Sequence, residues 1–468
     1  MRKLVLLSIG LFAFTLTWTS CKKDKTPDGN PIDTSGHDTT YIQTTPWPKW
    51  VFQHWVWEDE GTSVSARQLV DDYMAHGIPV DAIIIDSPWE TEYNTFICDP
   101  NSYGDAKEMV DYFHSKNVKV LFWITGVIDT NVHPLYDYAA SHDYFMKANA
   151  SATTPAVFHW WKGNGSLIDL YNPDAVNWWK GMMDSTLALG IDGWKCDGSD
   201  YYALSATYSP GLAATVTRLD YSHHYYQLFH DYTRQKLGND RIIMSRPIDN
   251  YNLGDFGGDF VAFTPKEIGW ACWVGDQDAT YDGMKAALNN MYWSSVYPYM
   301  AFGSDIGGYR EDGSSLGRTK DVFIRWAQLG TFCPLMENGG GGEHRPWMFD
   351  QQTTDIYKGL AIMRDKYITG YLMEAAKKAY AENKSIITFF NKTDYSYMLG
   401  DDIFVTPMLD NGTDVTINFP AGSDWVYLYN KERIYTGGTS EYLSFPLEEF
   451  PVFIKKGTST ALVLRHTL

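Results

Sequence analysis

Between about residue 46 and residue 375 the chain alternates two textures: short apolar, β-branched runs, and longer stretches whose apolar positions recur every three or four residues. The runs cover 50–55, 82–86, 118–124, 191–197, 241–246, 271–276, 297–305 and 331–336, giving eight candidate strands. Apolar runs without strict alternation mark strands buried on both faces, as parallel sheets require. Between them, 65–76 sets Leu69, Val70, Tyr73 and Met74 at helical spacing, and 106–116 does so with Met109, Val110 and Phe113. Strand and helix in this repeat predict an α/β fold, a (β/α)8 TIM barrel over 46–375. Past residue 375 the alternation stops. Strand-like runs at 385–390, 403–408, 415–419, 425–429 and 450–455, separated by Gly, Asn and Asp, predict a small antiparallel β-sandwich domain over 376–468.

The first 45 residues differ from the rest. Arg2 and Lys3 precede an apolar run to about Trp18 that is too short for a stable membrane span, then Ser20 and Cys21, the pattern of a secretory signal over 1–21. Cys21 followed by Lys22, Lys23, Asp24 and Lys25 resembles a bacterial lipoprotein site, in which that Cys becomes the acylated first residue. Trp18 stands where Leu is usual, so secretion with an unmodified Cys21 is the alternative. Residues 22–45, rich in Thr, Asp, Gly, Pro and Lys, read as a flexible linker from an outer-membrane lipid anchor, the chain's predicted tie to a membrane.

Charge narrows the partners. The net charge of −19 becomes −21 without the first 21 residues, a surface that repels phosphate backbones and anionic lipid, so nucleic acid is not an expected partner. Cys98, Cys196, Cys272 and Cys333 show no CxxC spacing and no His pair nearby, so neither a metal nor a disulfide framework is predicted and the four read as buried thiols. No cofactor motif appears. The 18 Trp and 32 Tyr suit a protein that stacks on sugar rings, and equally a Trp-rich core.

In such barrels the active site forms where strands end at the carboxyl face. Here those ends are acidic: Asp86, Asp197, Asp276 and Asp305, with Lys195 and Arg246 among them and His344 after a run of glycines. Glycoside hydrolysis needs two such carboxyl groups, one ionised to attack and one protonated to serve the leaving oxygen. Strand-end Asp residues also cap the helices that follow, so each carboxylate has a structural alternative.

The local motifs favour chemistry. Ile191-Asp192-Gly193-Trp194-Lys195-Cys196-Asp197-Gly198 and Trp273-Val274-Gly275-Asp276-Gln277 resemble the nucleophile and acid/base segments of glycoside hydrolase family 31. The resemblance runs on through Phe302-Gly303-Ser304-Asp305-Ile306-Gly307-Gly308-Tyr309, through 398–408 and through 450–457, in the family's order. It implies retaining hydrolysis of a terminal α-linked sugar of an oligosaccharide, with Asp197 as nucleophile and Asp276 as general acid/base. It also implies that Asp86, Arg246 and His344 bind hydroxyls of the first sugar, with Glu343 and Arg345 as alternatives to His344, and that Trp123 and Trp273 line the pocket.

Lys195, two residues before Asp197 on one strand, faces the same side and is expected to keep Asp197 charged. Asp86 and Lys195 are together expected to set the two carboxyl groups apart, Asp276 protonated and Asp197 ionised. A separation of roughly 5 to 5.5 Å would retain anomeric configuration, and one of roughly 6.5 to 9.5 Å would invert it.

The chain departs from the family pattern in three places. Only a linker stands where members carry an N-terminal β-sandwich that lends the site a loop, which leaves room for a partner subunit. The stretch 201–219 after Asp197 is long enough for a lid, and its Tyr201, Tyr202, Tyr208, with His223 and His224 beyond it, read equally as packing. Asp86 is followed by Ser87-Pro88-Trp89-Glu90, so Trp89 and Glu90 are expected to reshape recognition at sugar O4 and O6 toward a galactoside or xyloside. Two other classes compete: an α-galactosidase of the related barrel clan, and a catalytically silent carbohydrate-binding surface lipoprotein.

Overall fold

The computed structural model describes residues 45–198, 208–248 and 262–464, which fall in one compact unit beginning at Thr45. The expected signal, Cys21, almost all of the linker and residues 201–207 of the expected lid lie outside the described residues.

Eight parallel strands form one sheet: β1 (His54–Glu58), β2 (Ala82–Ile85), β3 (Lys119–Ile124), β4 (Gly193–Cys196), β5 (Ile242–Ser245), β6 (Ala271–Trp273), β7 (Phe302–Gly303) and β8 (Met336–Asn338). Their order is β7-β6-β5-β4-β3-β2-β1-β8. The ends meet through a parallel bridge between Asp305 and Glu337. There Leu335 N–H donates to Phe302 O at 3.1 Å and Ile306 N–H to Glu337 O at 3.2 Å, closing the (β/α)8 barrel. Strand residues such as Val56, Ile83, Leu121, Ile243 and Ala271 are buried, which is why the runs read as continuously apolar.

Three strands start well after their runs begin: in 297–305, Tyr297 closes the helix Tyr281–Val296, Pro298 follows, and β7 begins only at Phe302. In 50–55 the apolar triplet Trp50, Val51, Phe52 forms a short 3-10 helix, Lys49–Phe52, and β1 begins at His54. Pro46 and Pro48 bias the chain there, and a plug buried all round has no polar face to reveal its period. In 331–336 the first residue ends the helix Lys320–Thr331, buried from Val322 onward, and Pro334 separates that helix from β8. β8 therefore carries Glu337 and Asn338, polar residues the apolar pattern passes over. A three-stranded excursion after β3, made of Val127–Asp129, Phe158–Trp160 and Gly163–Leu167, was likewise not expected.

Several of the described helices start on side-chain caps. Thr62, Thr217, Thr280, Thr319 and Asp350 each accept from the amide three residues on, supplying a partner that the first helical turn lacks. No described helix is capped by Asp86, Asp197, Asp276 or Asp305, so the structural alternative for those carboxylates fails. Helix 65–76 of the sequence reading is Ser63–Ala75, and 106–116 is Ala106–Ser115.

Past the barrel, Ile387–Phe389, Tyr397–Leu399, Ile403–Val405, Val452–Lys455, Trp425–Tyr427 and Ile434–Tyr435 form a six-stranded antiparallel sheet in that order, beside the pair Asp414–Asn418 and Ser440–Ser444. The helix Lys320–Thr331 ties the sheet to the barrel: Arg325 donates to Glu449 O (2.7 Å) and Phe445 O (2.9 Å), and Gln328 to Leu447 O (2.7 Å). Cys196, Cys272 and Cys333 are buried free thiols, while Cys98 is only half-buried.

Arg364 pins the end of the barrel where β1 and β8 begin. It is fully buried in a π-helical turn, Arg364–Ile368, and donates to main-chain oxygens of Phe52 (2.6 Å), Thr331 (3.0 Å), Cys333 and Pro334 (2.5 Å). Phe52 O also accepts from Thr369 Oγ1 at 3.2 Å, so replacing Arg364 orphans the other three buried carbonyls at about 1–3 kcal/mol each. Arg364→Leu is therefore expected to lower unfolding free energy by at least about 3 kcal/mol, read by chemical denaturation.

Candidate active site

Strand alternation sorts the side chains of β4. Trp194 turns outward, its indole N–H donating to Thr233 Oγ1 at 2.9 Å on the helix Arg218–Leu237. Lys195 turns inward, onto the face of Trp57 from β1 at 3.7 Å from the ring centroid, with Trp273 at 5.2 Å. Its ammonium donates to Asp86 Oδ2 at 2.6 Å. Burial works against this charge, but Asp86, Asp305 and Glu337 outweigh it and hold Lys195 well above the usual lysine range. The direct partner of Lys195 is thus Asp86, and its pull on Asp197 is weaker than that of Arg246.

Two residues beyond Lys195 along the chain lies Asp197. Its amide donates to Ile124 O at 2.8 Å, and its carboxylate accepts from Gly198 N–H at 2.7 Å and Trp123 Nε1 at 3.3 Å. Arg246, at the end of β5, reaches Asp197 Oδ1 at 3.3 Å and Asp276 Oδ2 at 3.1 Å with the same guanidinium nitrogen. Those two distances together cap the separation of the two carboxylate oxygens at about 6.4 Å. Both side chains keep a solvent face, 18% exposed for Asp197 and 27% for Asp276. Asp197 is pushed above the usual carboxylate range by burial, with Arg246 pulling it back and Asp276 adding to the rise. Lys195 does draw Asp197 down, as expected, but Arg246, the group that touches both carboxylates, acts on it more strongly.

His344 is buried, and its carbonyl is held by Tyr73 Oη–H (2.7 Å) and Asn338 Nδ2–H (2.9 Å). Its Nε2 has no protein partner, and burial, with Arg318 nearby, lowers the ring to about 4, so it is neutral at pH 7. Glu343 and Arg345 instead engage each other in a two-pronged ion pair with both contacts at 2.7 Å. Gly339 begins the glycine run because any Cβ there would overlap the Trp57 indole. Trp273 is buried, beneath Lys195 and Arg246.

Trp89 and Glu90 do not face the pocket. Trp89 is wholly buried with its N–H on Trp123 O at 2.7 Å. Buried Glu90 accepts from the amides of Asn94 (2.8 Å) and Phe96 (2.6 Å), and burial pushes it up to about 8. Both side chains hold the loop after β2, which corrects their expected role at sugar O4 and O6. His224 stacks on Tyr171 at 4.1 Å and His223 lies on Ala262 O at 3.2 Å, so both are engaged in packing.

The structure adds residues to which the sequence assigns no role in the site. Tyr309 stacks on Trp57 and its hydroxyl donates to Asp59 Oδ2 at 3.1 Å. Glu337 accepts from Trp57 Nε1 at 2.8 Å. Tyr93 and the exposed Trp161, from the loop after β2 and the excursion after β3, pack edge-on against Trp123 at 5.6 and 6.3 Å. Tyrosine and tryptophan enrichment was the only signal for them, and enrichment carries no address. Among the described residues no group of His, Cys, Asp and Glu side chains is arranged to hold a metal ion.

A parallel barrel whose carboxyl face brings together two solvent-reachable carboxylates, a shared guanidinium and a wall of indoles defines a (β/α)8 protein of the sugar-hydrolase type. Comparison with known proteins makes this specific. The model of the glycosyl hydrolases family 31 TIM-barrel domain matches residues 44–369, and that of the family 31 C-terminal domain matches 376–458. The chain belongs to glycosyl hydrolase family 31. It is similar to a 1,3-alpha-isomaltosidase of Kribbella flavida, 23% identical over 87% of this chain and 60% of that protein. It is 22% identical to an alpha-xylosidase of Emericella nidulans, over 89% of this chain and 53% of the other. The glucose complex of a family 31 dextranase from Flavobacterium johnsoniae superposes with a TM-score of 0.76 at 20% identity, covering 88% of this chain and 52% of that one. The chain thus spans little more than half the length of these relatives.

Removing Arg246 leaves Asp197 facing Asp276 with its strongest opposing charge gone, so the Asp197 pKa rises. A nucleophile that must be ionised to react is then protonated, and activity lost, from a higher pH as the solution is acidified. Arg246→Ala is expected to move the acidic limb of kcat/KM upward by about one pH unit. An unmoved limb would show that Arg246 does not govern Asp197.

Proposed function

We propose that the protein is a retaining exo-α-glycosidase that removes terminal α-linked glucosyl or xylosyl units from an oligosaccharide. The observation that carries this reading is the single nitrogen of Arg246 joining Asp197 and Asp276, which limits their nearer oxygens to about 6.4 Å. A guanidinium nitrogen shared by the two carboxylates keeps them close together, which supports the shorter separation of roughly 5 to 5.5 Å that double displacement uses.

In this reading Asp197 attacks the anomeric carbon while protonated Asp276 gives its proton to the departing oxygen. Asp276 then takes a proton from water, and the resulting hydroxide displaces Asp197, restoring the original configuration. Asp86, kept in place by Lys195, and neutral His344, through its free Nε2, bind hydroxyls of the first sugar; Trp123 orients Asp197 and forms the wall. The named activities of the relatives, isomaltosidase and xylosidase, support the choice of sugar.

Release of nitrophenol from the α-glucoside, α-xyloside and α-galactoside tests the reading, with NMR of the first-formed anomer. Asp197→Ala is expected to abolish release, and Asp276→Ala to lower kcat about 10²–10⁴-fold on an unactivated disaccharide and less on the nitrophenyl glycosides, whose leaving group needs little proton assistance. An inverted first product overturns the double displacement. Sugar binding without release from any α-glycoside reassigns the chain to carbohydrate capture. We further propose, on the sequence around Cys21 alone, that the protein is anchored by acylation there; wild type is expected to incorporate labelled palmitate in cells and Cys21→Ser to lose it.

A further inference from the structure

The seam that closes the barrel holds more buried acid than the base beside it offsets. Asp305 and Glu337 are 1% and 0% exposed, and their main chains pair across that seam. Asp305 Oδ1 and Glu337 Oε1 are buried and receive no protein donor. Paired residues of neighbouring strands point to the same face of a sheet, so the bridge sets the two side chains next to each other, and each acts on the charge of the other. Two ionised carboxylates in that position would repel and would each leave an oxygen unsatisfied, whereas one proton between them removes both penalties.

The surroundings decide which group carries it. Facing the pair are Lys195 from β4, Asp86 from β2, Asp276 after β6, Arg318 before the helix Lys320–Thr331, Tyr357 on the helix Gln351–Met363, and the Trp57 N–H from β1. Burial, then the charge of Glu337, push Asp305 well above the carboxylate range against the pull of Lys195. Burial raises Glu337 too, with Lys195, Asp305 and the Trp57 N–H drawing it down. Glu337 already accepts the Trp57 N–H while Asp305 Oδ1 has no donor, so we assign Asp305 as the donor and Glu337 as the charged acceptor.

The consequence reaches the pocket through Trp57. Its N–H is fixed on Glu337 Oε2 at 2.8 Å, and its ring face carries the Lys195 ammonium, which in turn holds Asp86. We propose that Asp305 and Glu337 share one proton across the barrel seam and act as positioning residues that, through Trp57, hold Lys195 against Asp86. Only the kinetic part of this proposal rests on the glycosidase reading.

Asp305→Asn keeps a donor toward Glu337 and a neutral group in the same space; Asp305→Leu keeps neither donor nor acceptor. In the infrared spectrum of the full-length protein at pH 7, wild type minus Asp305→Asn is expected to show the carbonyl stretch of a protonated carboxyl. Other buried carboxyl groups, Glu90 among them, cancel in that difference. Absence of the band means that Asp305 is ionised and overturns the proposal, whether or not the protein cleaves any glycoside. On a cleaved substrate, Asp305→Asn is expected to keep kcat/KM within about threefold while Asp305→Leu loses about tenfold or more, the loss of a hydrogen bond to a charged group. Equal losses in the two variants, measured on protein whose circular dichroism matches wild type, would show that the donated proton positions nothing.

Discussion

A lysine ammonium buried inside a barrel is tolerated only if charge and hydrogen bonds around it replace the water it has lost. Lys195 meets that demand with Asp86 at 2.6 Å, the face of Trp57 at 3.7 Å and the carboxyl pair at the seam. Each of these comes from a different strand: β2, β1, and the end of β7 with β8. The electrostatic requirement of one side chain is therefore met only when the barrel is closed in this register, and closing it delivers Asp86 to the pocket. Stability and site geometry are the same interaction seen from two sides.

A second layer of charge lies one step further along the strands. Asp197 follows Lys195 by two residues, and with Asp276 it is held by Arg246. The deeper layer is sealed, with Asp305 and Glu337 essentially without exposure, while the outer carboxylates keep a face to solvent. Sealed charges can be fixed permanently; reacting ones must be reached by substrate and exchange protons. The strand period of two places the layers on one side of β4 and keeps them a pleat apart.

The end of the barrel where β1 and β8 begin shows the opposite use of a buried cation. Arg364 faces main-chain oxygens of Phe52, Thr331, Cys333 and Pro334 and joins the turns that lead into those strands. Its task is mechanical, and the division matches what barrels of this kind show generally: reactive groups gather at the carboxyl ends, stabilising ones at the other. The excursion after β3 adds to the reactive side, since its Trp161 packs with Tyr93 against Trp123, the indole that touches Asp197.

Local sequence was enough for the barrel and for the positions of most carboxylates in it, because parallel strands are apolar runs and their ends are abrupt. It set Lys195 and Asp197 on one face, since that depends only on the pleat. It started β1, β7 and β8 too early, where an apolar plug and the ends of helices look like strands, and in β8 it passed over Glu337. It assigned Trp89 and Glu90 to the pocket because nearness to Asp86 in sequence suggested nearness in space; one cap of backbone amides from Asn94 and Phe96 turns Glu90 away. Partners across strands are what sequence could not contain. That Lys195 serves Asp86, that Arg246 joins Asp197 to Asp276, and that Asp305 meets Glu337 at the seam follow from closure of the sheet, which brings residues 30 to 109 positions apart within one hydrogen bond.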